Sequence, residues 1–173
     1  NLITEKVNKS NYNVKLNLNS IKFKLDFKEI SLFLETENPN IFYRKIKIPA
    51  ESIKVYINFF SLFKTSPQIE KINLVLNQLD IEQLKKISAS FKPSNFRSFI
   101  KNKILTGKLD TELEIYLDEN NLLDNFIARG SVSNFKSKIL SNINLENSNF
   151  SFFADKTDIL IKNFFGETGP IKI

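Results

Sequence analysis

The feature that most constrains this chain is the alternation of apolar and polar side chains over most of its length. The stretch Ile21–Phe27 reads IKFKLDF, in which every second residue is apolar and the residues between are charged. Because successive side chains of a strand point to opposite faces of a sheet, such a strand has one apolar and one charged face. The same period recurs as far as residue 161, with slips such as the one at Lys28 and Glu29 that indicate bulges. The pattern predicts a mainly β fold of short antiparallel strands joined by turns.

Signals for helices are few. The best is Asp80–Ile87, DIEQLKKI, where an N-terminal aspartate and Gln83 form a capping box and the apolar residues share one face. Asn58–Phe63, NFFSLF, is predicted as one helical turn packed on the sheet, and another short helix is predicted around Phe99–Ile104. We interpret residues 88–98 as a connection and as the possible internal seam of a chain that is otherwise one domain, residues 1–173.

So few helices raise the question of what covers the apolar face of the strands. A helix of eight residues is about 12 Å long, far less than the face of a sheet of eight or more strands. Three arrangements solve the problem: a second sheet packs on the first, the sheet closes into a barrel, or it curls into a trough whose apolar wall contacts a ligand. The alternation alone leaves all three open.

The composition argues against the common kinds of catalytic site. The chain has no His and no Cys, so it holds no His-containing triad, thiolate nucleophile or typical zinc site. The acidic stretches Asp118–Asn121 (DENN) and Ala154–Asp158 (ADKTD) lie between apolar runs and are predicted to be turns. Its four glycines form no phosphate-binding loop. We therefore expect no enzyme activity, no catalytic residue, no metal and no cofactor.

The net charge of +6 favours anionic partners, either nucleic acid or phospholipid surfaces. Nucleic-acid binding on a sheet requires aromatic and basic side chains on the same face, where rings stack on bases. Here Phe23 and Phe27 alternate with Lys22, Lys24 and Lys28, which places the rings and the charges on opposite faces. The alternation therefore predicts that nucleic acid is not a partner.

Several stretches resemble the AsmA-like proteins of Gram-negative envelopes. In Ile48–Leu84, IPAESIKVYINFFSLFKTSPQIEKINLVLNQLDIEQL, a strand leads into a Ser-Leu-rich turn, a proline-marked loop and another strand, and the preceding FKEISLFLETENP is similar to the strand before these. The later part, from ARGSVSNFKS through NINLENSNFSFFADKTDILIKNFFGETGPIKI, looks like their Gly-x-Val strand, Asn-rich strand, hairpin and closing strand. The likeness covers most of residues 21–173 and rests on spacing and hydrophobic pattern. The membrane helix typical of that family is not in this sequence, so we expect a segment of a longer protein.

The resemblance implies an elongated, curled antiparallel sheet, a taco-like β-groove with one to three short helices, related to bridge-like lipid transfer proteins. It implies a non-enzymatic role in outer membrane biogenesis: binding phospholipid acyl chains and carrying them between the inner and outer membranes. The expected location is the periplasm or cell envelope, with an inner-membrane anchor in a segment not present here. The expected partners are phospholipids, the membranes at the ends of the full-length protein, and other envelope proteins.

The residues predicted to line or border the groove are the apolar members of the alternating runs: Ile21, Phe23, Leu25, Phe27, Ile53, Val55, Ile57, Leu74, Leu76, Phe150 and Phe152. The alternative interpretation is a structural or interaction domain of an envelope assembly, a closed β-sandwich in which the same residues fill a dry core and the edges accept strands from partners.

Overall fold

The computed structural model of the chain is mainly β, as predicted. It describes residues 14–18, 20–27, 31–63, 68–89, 95–120, 122–140, 143–168 and 171–172. The strands are β1 Val14–Asn17, β2 Lys22–Asp26, β3 Ser31–Glu37, β4 Asn40–Tyr43, β5 Ile46–Ile48, β6 Ala50–Ile57, β7 Ile69–Asp80, β8 Ile104–Leu117, β9 Leu123–Leu140, β10 Ile143–Asp155, β11 Ile159–Thr168 and β12 Ile171–Lys172. Two α-helices, α1 Ile81–Ser88 and α2 Asn95–Asn102, and a 3₁₀ turn, Phe59–Phe63, complete the described elements.

Nine of the strands form one antiparallel sheet in the order β2-β3-β6-β7-β8-β9-β10-β11-β12. The order follows the chain except that β4 and β5 leave it and pair with β1 in a separate three-stranded sheet. The turns after β8 and β10 are those predicted from the acidic stretches. Asp118 Oδ1 accepts the Leu122 amide at 2.8 Å, and Asp155 Oδ1 accepts the Asp158 amide at 2.9 Å. The sheet does not close into a barrel, which removes one of the three ways to cover its apolar side.

The strand register collects the apolar residues on one side of the large sheet, which we call the inner face. One row of paired residues crosses six strands as Phe23, Leu34, Val55, Ile72, Ile115 and Phe126. The neighbouring row crosses the same sheet as Lys22, Glu35, Lys54, Asn73 and Glu114, and its side chains point to the opposite, outer face. Since side chains alternate in direction along a strand, adjacent rows belong to opposite faces.

Bulges keep the inner face apolar along the longer strands. Gln78, Asn134, Asn147 and Asn163 have φ angles of 51°, 51°, 47° and 51°, a left-handed conformation that Asn tolerates better than most residues. Each lies at a register shift, in β7, β9, β10 or β11. Inner-face residues normally recur every second position, but across each bulge the next one comes three positions later because of the extra residue. The pairs of inner-face residues on either side of a bulge are Leu76 and Leu79, Val132 and Phe135, Leu145 and Ser148, and Ile161 and Phe164. The slip predicted at Lys28 and Glu29 lies outside the described residues.

The two helices connect β7 to β8, which are neighbours in the sheet, and pack over one end of the inner face. The capping box predicted for α1 is present, with the Asp80 amide donating to Gln83 Oε1 at 3.0 Å. The second helix begins four residues earlier than predicted and ends at Asn102, because Ile104 already pairs with Ser137 in the sheet. No helix in the described part of the chain has the length and apolarity that crossing a membrane requires.

The NFFSLF stretch forms the predicted helical turn but does not pack as predicted. Ser61 is fully buried and its hydroxyl donates to the Asn58 carbonyl at 2.7 Å, which holds the turn closed. The rings of Phe59 and Phe60 contact each other edge to face, with centroids 6.0 Å apart, and both are exposed. The expectation that this apolar group packs on the sheet is therefore wrong for these two rings, because both remain exposed.

Candidate functional site

A cavity of about 1050 Å³ lies between the helix pair and strands β8 to β11. Its roof is formed by side chains of the two helices, Ile81, Leu84, Phe99 and Ile100. Its floor is the inner face: Leu109, Phe126, Ala128, Val132, Phe150, Phe152, Ala154, Ile159, Ile161 and Phe164. The volume is at the upper end of the roughly 300–1,000 Å³ that small-molecule sites occupy. The lining consists mainly of hydrocarbon and aromatic rings.

Small residues make the floor deep along its middle. Ala128 and Ala154 are paired neighbours, and Gly130 lies two residues further along β9 on the same face. A side chain at Gly130 would meet the backbone of β8, since its Cβ would lie 2.0 Å from the Asp110 carbonyl oxygen. Glycine is therefore required at this close approach of β8 and β9.

Aromatic rings form the wall at the helix-covered end. Phe150 contacts Phe135 edge to face, with ring centroids 5.3 Å apart, and stacks on Phe164 at 6.0 Å. Phe135 belongs to a buried cluster in which helix and strand residues meet: Ile81, Ile100, Ile104, Phe135 and Leu145. This cluster fixes the helices to the sheet and closes the inner face at that end.

Charged side chains occur at both ends of the cavity. Beneath the helices it is bordered by Lys103, Lys108 and Lys138, which we call the lysine end. Lys103 and Lys138 are adjacent, because the Lys138 amide donates to the Lys103 carbonyl at 2.8 Å. At the opposite ends of the strands, the cavity is bordered by the β10–β11 turn, Asp155–Asp158, which we call the aspartate end.

The cavity is part of a longer apolar surface. Beyond β8 the inner face continues through β7, β6 and β3, where most of its side chains are half-buried, including Ile53, Val55, Leu74 and Leu76, and where Leu79, Ile57 and Thr36 are buried. Side chains on an uncovered sheet face are half-buried by their neighbours in the same sheet. In a sandwich, a second layer packs on that face and buries the side chains fully. At the β2 edge, Phe23 is 72% exposed and Leu25 56% exposed. The inner face is therefore covered by helices at one place and open elsewhere in the described structure.

The structure places nine of the eleven predicted groove residues on strands of the inner face. Phe150 and Phe152 line the cavity itself, and the other seven continue its floor toward β2: Phe23, Leu25, Ile53, Val55, Ile57, Leu74 and Leu76. Ile21 precedes β2 and Phe27 follows it, so neither belongs to a strand. Phe27 lies in a turn and is 87% exposed.

The prediction missed most of the floor and all of the roof. Leu109, Val132 and Ile161 lie in runs recognised as strands, and their alternation was the available signal for placing them on the same face. Phe135 and Phe164 are out of phase with those runs, and only the Asn residue before each ring indicates the bulge that brings it back. Leu84 and Ile100 were recognisable as helix residues, but no local signal places their helices over this part of the sheet.

The outer face is a lattice of ion pairs. Glu35, whose side chain is only 10% exposed, bonds Lys24 and lies 3.6 Å from Lys54 Nζ. The Lys24 hydrogen bond is the main cause that lowers the pKa of Glu35, against the opposing effect of burial. Arg129 bridges two carboxylates of β8, with Nε 3.3 Å from Glu112 and a hydrogen bond to Glu114. These charges are balanced within the sheet surface.

Carboxylates in the described residues are not gathered for metal binding. No three of them form a group that could hold a metal ion within the parts of the chain described above. Asp155 at the cavity border accepts two backbone amides and the Thr157 hydroxyl, and these hydrogen bonds lower its pKa. Its oxygens close a turn, so its role is accounted for by local structure.

Comparison of the chain with protein-family models, with curated proteins and with solved structures finds no match in any of the three. The function is therefore argued from the groove and its chemistry.

Proposed function

We propose that this chain is a non-enzymatic phospholipid-binding segment whose inner face holds acyl chains while the head group stays in water. The observation that carries the proposal is the continuous, half-buried inner face, which runs from β2 to β11 and deepens into a cavity of about 1050 Å³. Contiguous apolar surface of this extent is uncommon on soluble domains and marks a surface that binds something.

The dimensions suit acyl chains. The cavity floor follows β9 from Phe126 to Lys138, at most about 40 Å at ~3.3 Å per residue. Half of the ~30 Å hydrocarbon core of a bilayer, roughly 15 Å, is the length that one leaflet gives its chains. The groove is therefore long enough for the chains of a phospholipid to lie along it and shift.

The energetics suit transfer as well as binding. Removing about thirty methylenes of a two-chain lipid from water gains on the order of 20 kcal/mol at ~0.8 kcal/mol each. Relative to a bilayer, the gain is near zero, because both surroundings are hydrocarbon. An apolar groove without specific polar contacts along its floor thus accepts chains from a membrane and returns them without trapping them.

This proposal extends to the setting that the resemblance to AsmA-like proteins implies. The segment would serve in the periplasm, within a longer protein anchored in the inner membrane, and carry phospholipids toward the outer membrane. The edges of the described sheet support this: β2 is one edge, and at the other edge the two-residue strand β12 covers only the end of β11. A groove that crosses strand after strand is lengthened by pairing at such edges.

The test is lipid photo-crosslinking in cells with a photoreactive amino acid at Phe152 and Val55 on the inner face. Ser151 and Lys54, their sequence neighbours on the outer face, are the matched controls. We expect phospholipid adducts at the two inner positions and background labelling at the two outer ones. Equal labelling of both faces, or no lipid adduct at any position, would contradict the proposal.

One observation favours a second candidate, strand addition by a partner protein. Among the residues that the structure describes, the outer edge of β11 pairs with β12 only at Glu167 and Thr168, and residues 159–165 are exposed with apolar side chains on both faces. An extended edge of this kind accepts a strand from another protein. The same experiment with a probe at Leu160 separates the candidates. Protein adducts there, without lipid adducts at Val55 or Phe152, would favour an interaction domain over lipid transfer.

A further inference from the structure

The lysine end combines basic residues with an apolar floor and has no carboxylate among the residues that line it. Other basic side chains of the described chain are paired with carboxylates, among them Lys22, Lys24, Lys54, Lys85, Arg129 and Lys136. Among the same described residues, Lys103, Lys108 and Lys138 form no ion pair, although all three border the apolar cavity. Lys108 Nζ reaches only the amide oxygen of Gln78, at 3.3 Å.

The cavity is therefore electrically asymmetric along its length. The lysine end is bordered by three lysines and by no carboxylate. At the aspartate end, Asp155 and Asp158 outnumber Lys156, whose ammonium donates to the Asp124 carbonyl at 3.1 Å. A cleft with low-dielectric walls concentrates the field of such charges, so an anion is favoured at one end and disfavoured at the other.

We infer that the groove selects anionic phospholipids and holds the lipid phosphate at the lysine end, with the acyl chains directed along the floor toward the aspartate end. This inference depends on the proposed lipid binding and adds the head-group charge and the orientation to it. Apolar floor and lysine ammonium groups meet at one place in the cavity, and this is the arrangement that an anionic amphiphile complements.

The use of lysine rather than arginine fits a transient contact. Arg binds phosphate through a rigid bidentate fork, whereas the lysine ammonium acts as a point charge on a flexible stem. All three lysines are exposed, so a phosphate bound there keeps part of its hydration. The expected contribution is a preference among lipids that salt weakens, since exposed charge pairs are screened over about 10 Å at 0.1 M ionic strength.

The test compares phosphatidylglycerol with phosphatidylcholine of identical acyl chains. The delipidated chain is equilibrated with vesicles of each lipid, and bound lipid is measured by native mass spectrometry. We expect roughly tenfold higher occupancy by phosphatidylglycerol at low salt, as two or three exposed charge contacts provide. The double variant Lys103→Gln with Lys138→Gln should bring phosphatidylglycerol near the phosphatidylcholine level and leave phosphatidylcholine binding unchanged.

The matched control is Lys86→Gln with Lys101→Gln, which removes the same amount of charge. Both lysines are exposed, lie on α1 and α2, and do not border the cavity. The control variant should keep the preference. Equal binding of both lipids by the unaltered chain, or a full preference in the Lys103 and Lys138 variant, would overturn the inference and leave lipid binding intact. Retention of neither lipid would overturn the proposed function itself.

A second measurement needs no variant. Phosphatidylglycerol with a photoreactive head group should label peptides containing Lys103 and Ile139 and leave the peptide containing Thr157 unlabelled. Labelling at Thr157 as strong as at Ile139 would show that the lipid has no fixed orientation.

Discussion

The inner face has two regions that alternate in the same way and are covered differently. Beneath the helices, Ile100 is 2% exposed and its strand neighbours are buried with it. Across β2, β3 and β6, most inner-face side chains of the same type are half-buried or exposed, with Ile57 the buried exception at 9% exposure, and the described elements that contact these strands most are their neighbours in the sheet. The difference shows that alternation determines which face is apolar, whereas a separate element determines whether that face becomes a core.

Truncating matched isoleucines in the two regions should give unequal losses of stability. Ile100→Ala should lower the free energy of unfolding by about 4 kcal/mol, because it leaves a cavity in a packed cluster. Ile53→Ala, in the open region, should lower the free energy of unfolding by about 1 kcal/mol, because the half-buried Ile53 side chain buries less apolar surface than that of Ile100. Urea unfolding followed by circular dichroism measures both. Equal losses would mean that the β6 region is packed as tightly as the cluster beneath the helices.

Adding one methyl group to the floor should distort the covered region. Gly130→Ala places its Cβ against the Asp110 carbonyl and 2.9 Å from Thr111 Cα, so β8 and β9 must separate. We expect a loss of about 1–3 kcal/mol, typical of overpacking. Ser131→Ala, the next residue and on the outer face, is the control and should be nearly neutral. An unchanged melting temperature for Gly130→Ala would contradict the close strand approach.

The bulges of the covered region should depend on residues that tolerate a left-handed backbone. Asn134→Val should cost about 1–2 kcal/mol, because a β-branched residue is strained at a φ of 51°. Asn134→Gly should be tolerated, which separates conformational strain from loss of the side chain. Asn125→Val, at a β9 position without a left-handed φ, serves as the strand control and should not destabilise the fold. Thermal unfolding of the three variants ranks them, and a harmless valine at position 134 would rule out the bulge.

The strands of the open region should lose stability in acid through Glu35, which lies on their outer face. The pKa of this carboxyl is lowered in the folded state, so its contribution is present above the ordinary pKa of 4.5 and is lost as pH falls through the lowered folded-state value. Glu35→Gln should remove this acid dependence and cost about 0.5–1 kcal/mol near neutral pH, in the range of partly exposed ion pairs. Glu37→Gln, at an exposed pair with Lys22, is the control and should change the profile less. Identical pH profiles for the two variants would contradict the role of Glu35.

The regular parts of the fold were predictable because their signals are local. Alternation predicts the strands, Asp80 and Gln83 predict the start of α1, and the side chains of Asp118 and Asp155 predict the turns that they close. The excursion of β4 and β5 into a separate sheet was not predictable, since pairing with β1 depends on residues far apart in the chain. The start of α2 was placed too late because its apolar residues, such as Phe99 and Ile100, cluster in its second half.

The sequence allowed us to predict which sheet face is apolar, but not that part of this face is enclosed as a cavity. The alternation of apolar and polar residues places Phe150 and Phe152 on the inner face. Phe135 and Phe164 reach the same face only because bulges shift the alternation by one residue. Ile21 and Phe27 share the alternation of β2, yet the strand begins at Lys22 and ends at Asp26. The roof depends on how a connection between two adjacent strands folds back, and no periodicity within the sheet specifies that.

The near-sequential order of the large sheet has a consequence for how such a protein changes over evolutionary time. Each strand contacts mainly the strands beside it, so stability is close to a sum of neighbour terms, as in repeat proteins. Duplicating or deleting a hairpin would therefore lengthen or shorten the sheet, and with it the apolar inner face, in fixed steps. The pairing of strands far from the change would stay intact. Two strands are the smallest such step, because an odd number would reverse the direction of every strand that follows.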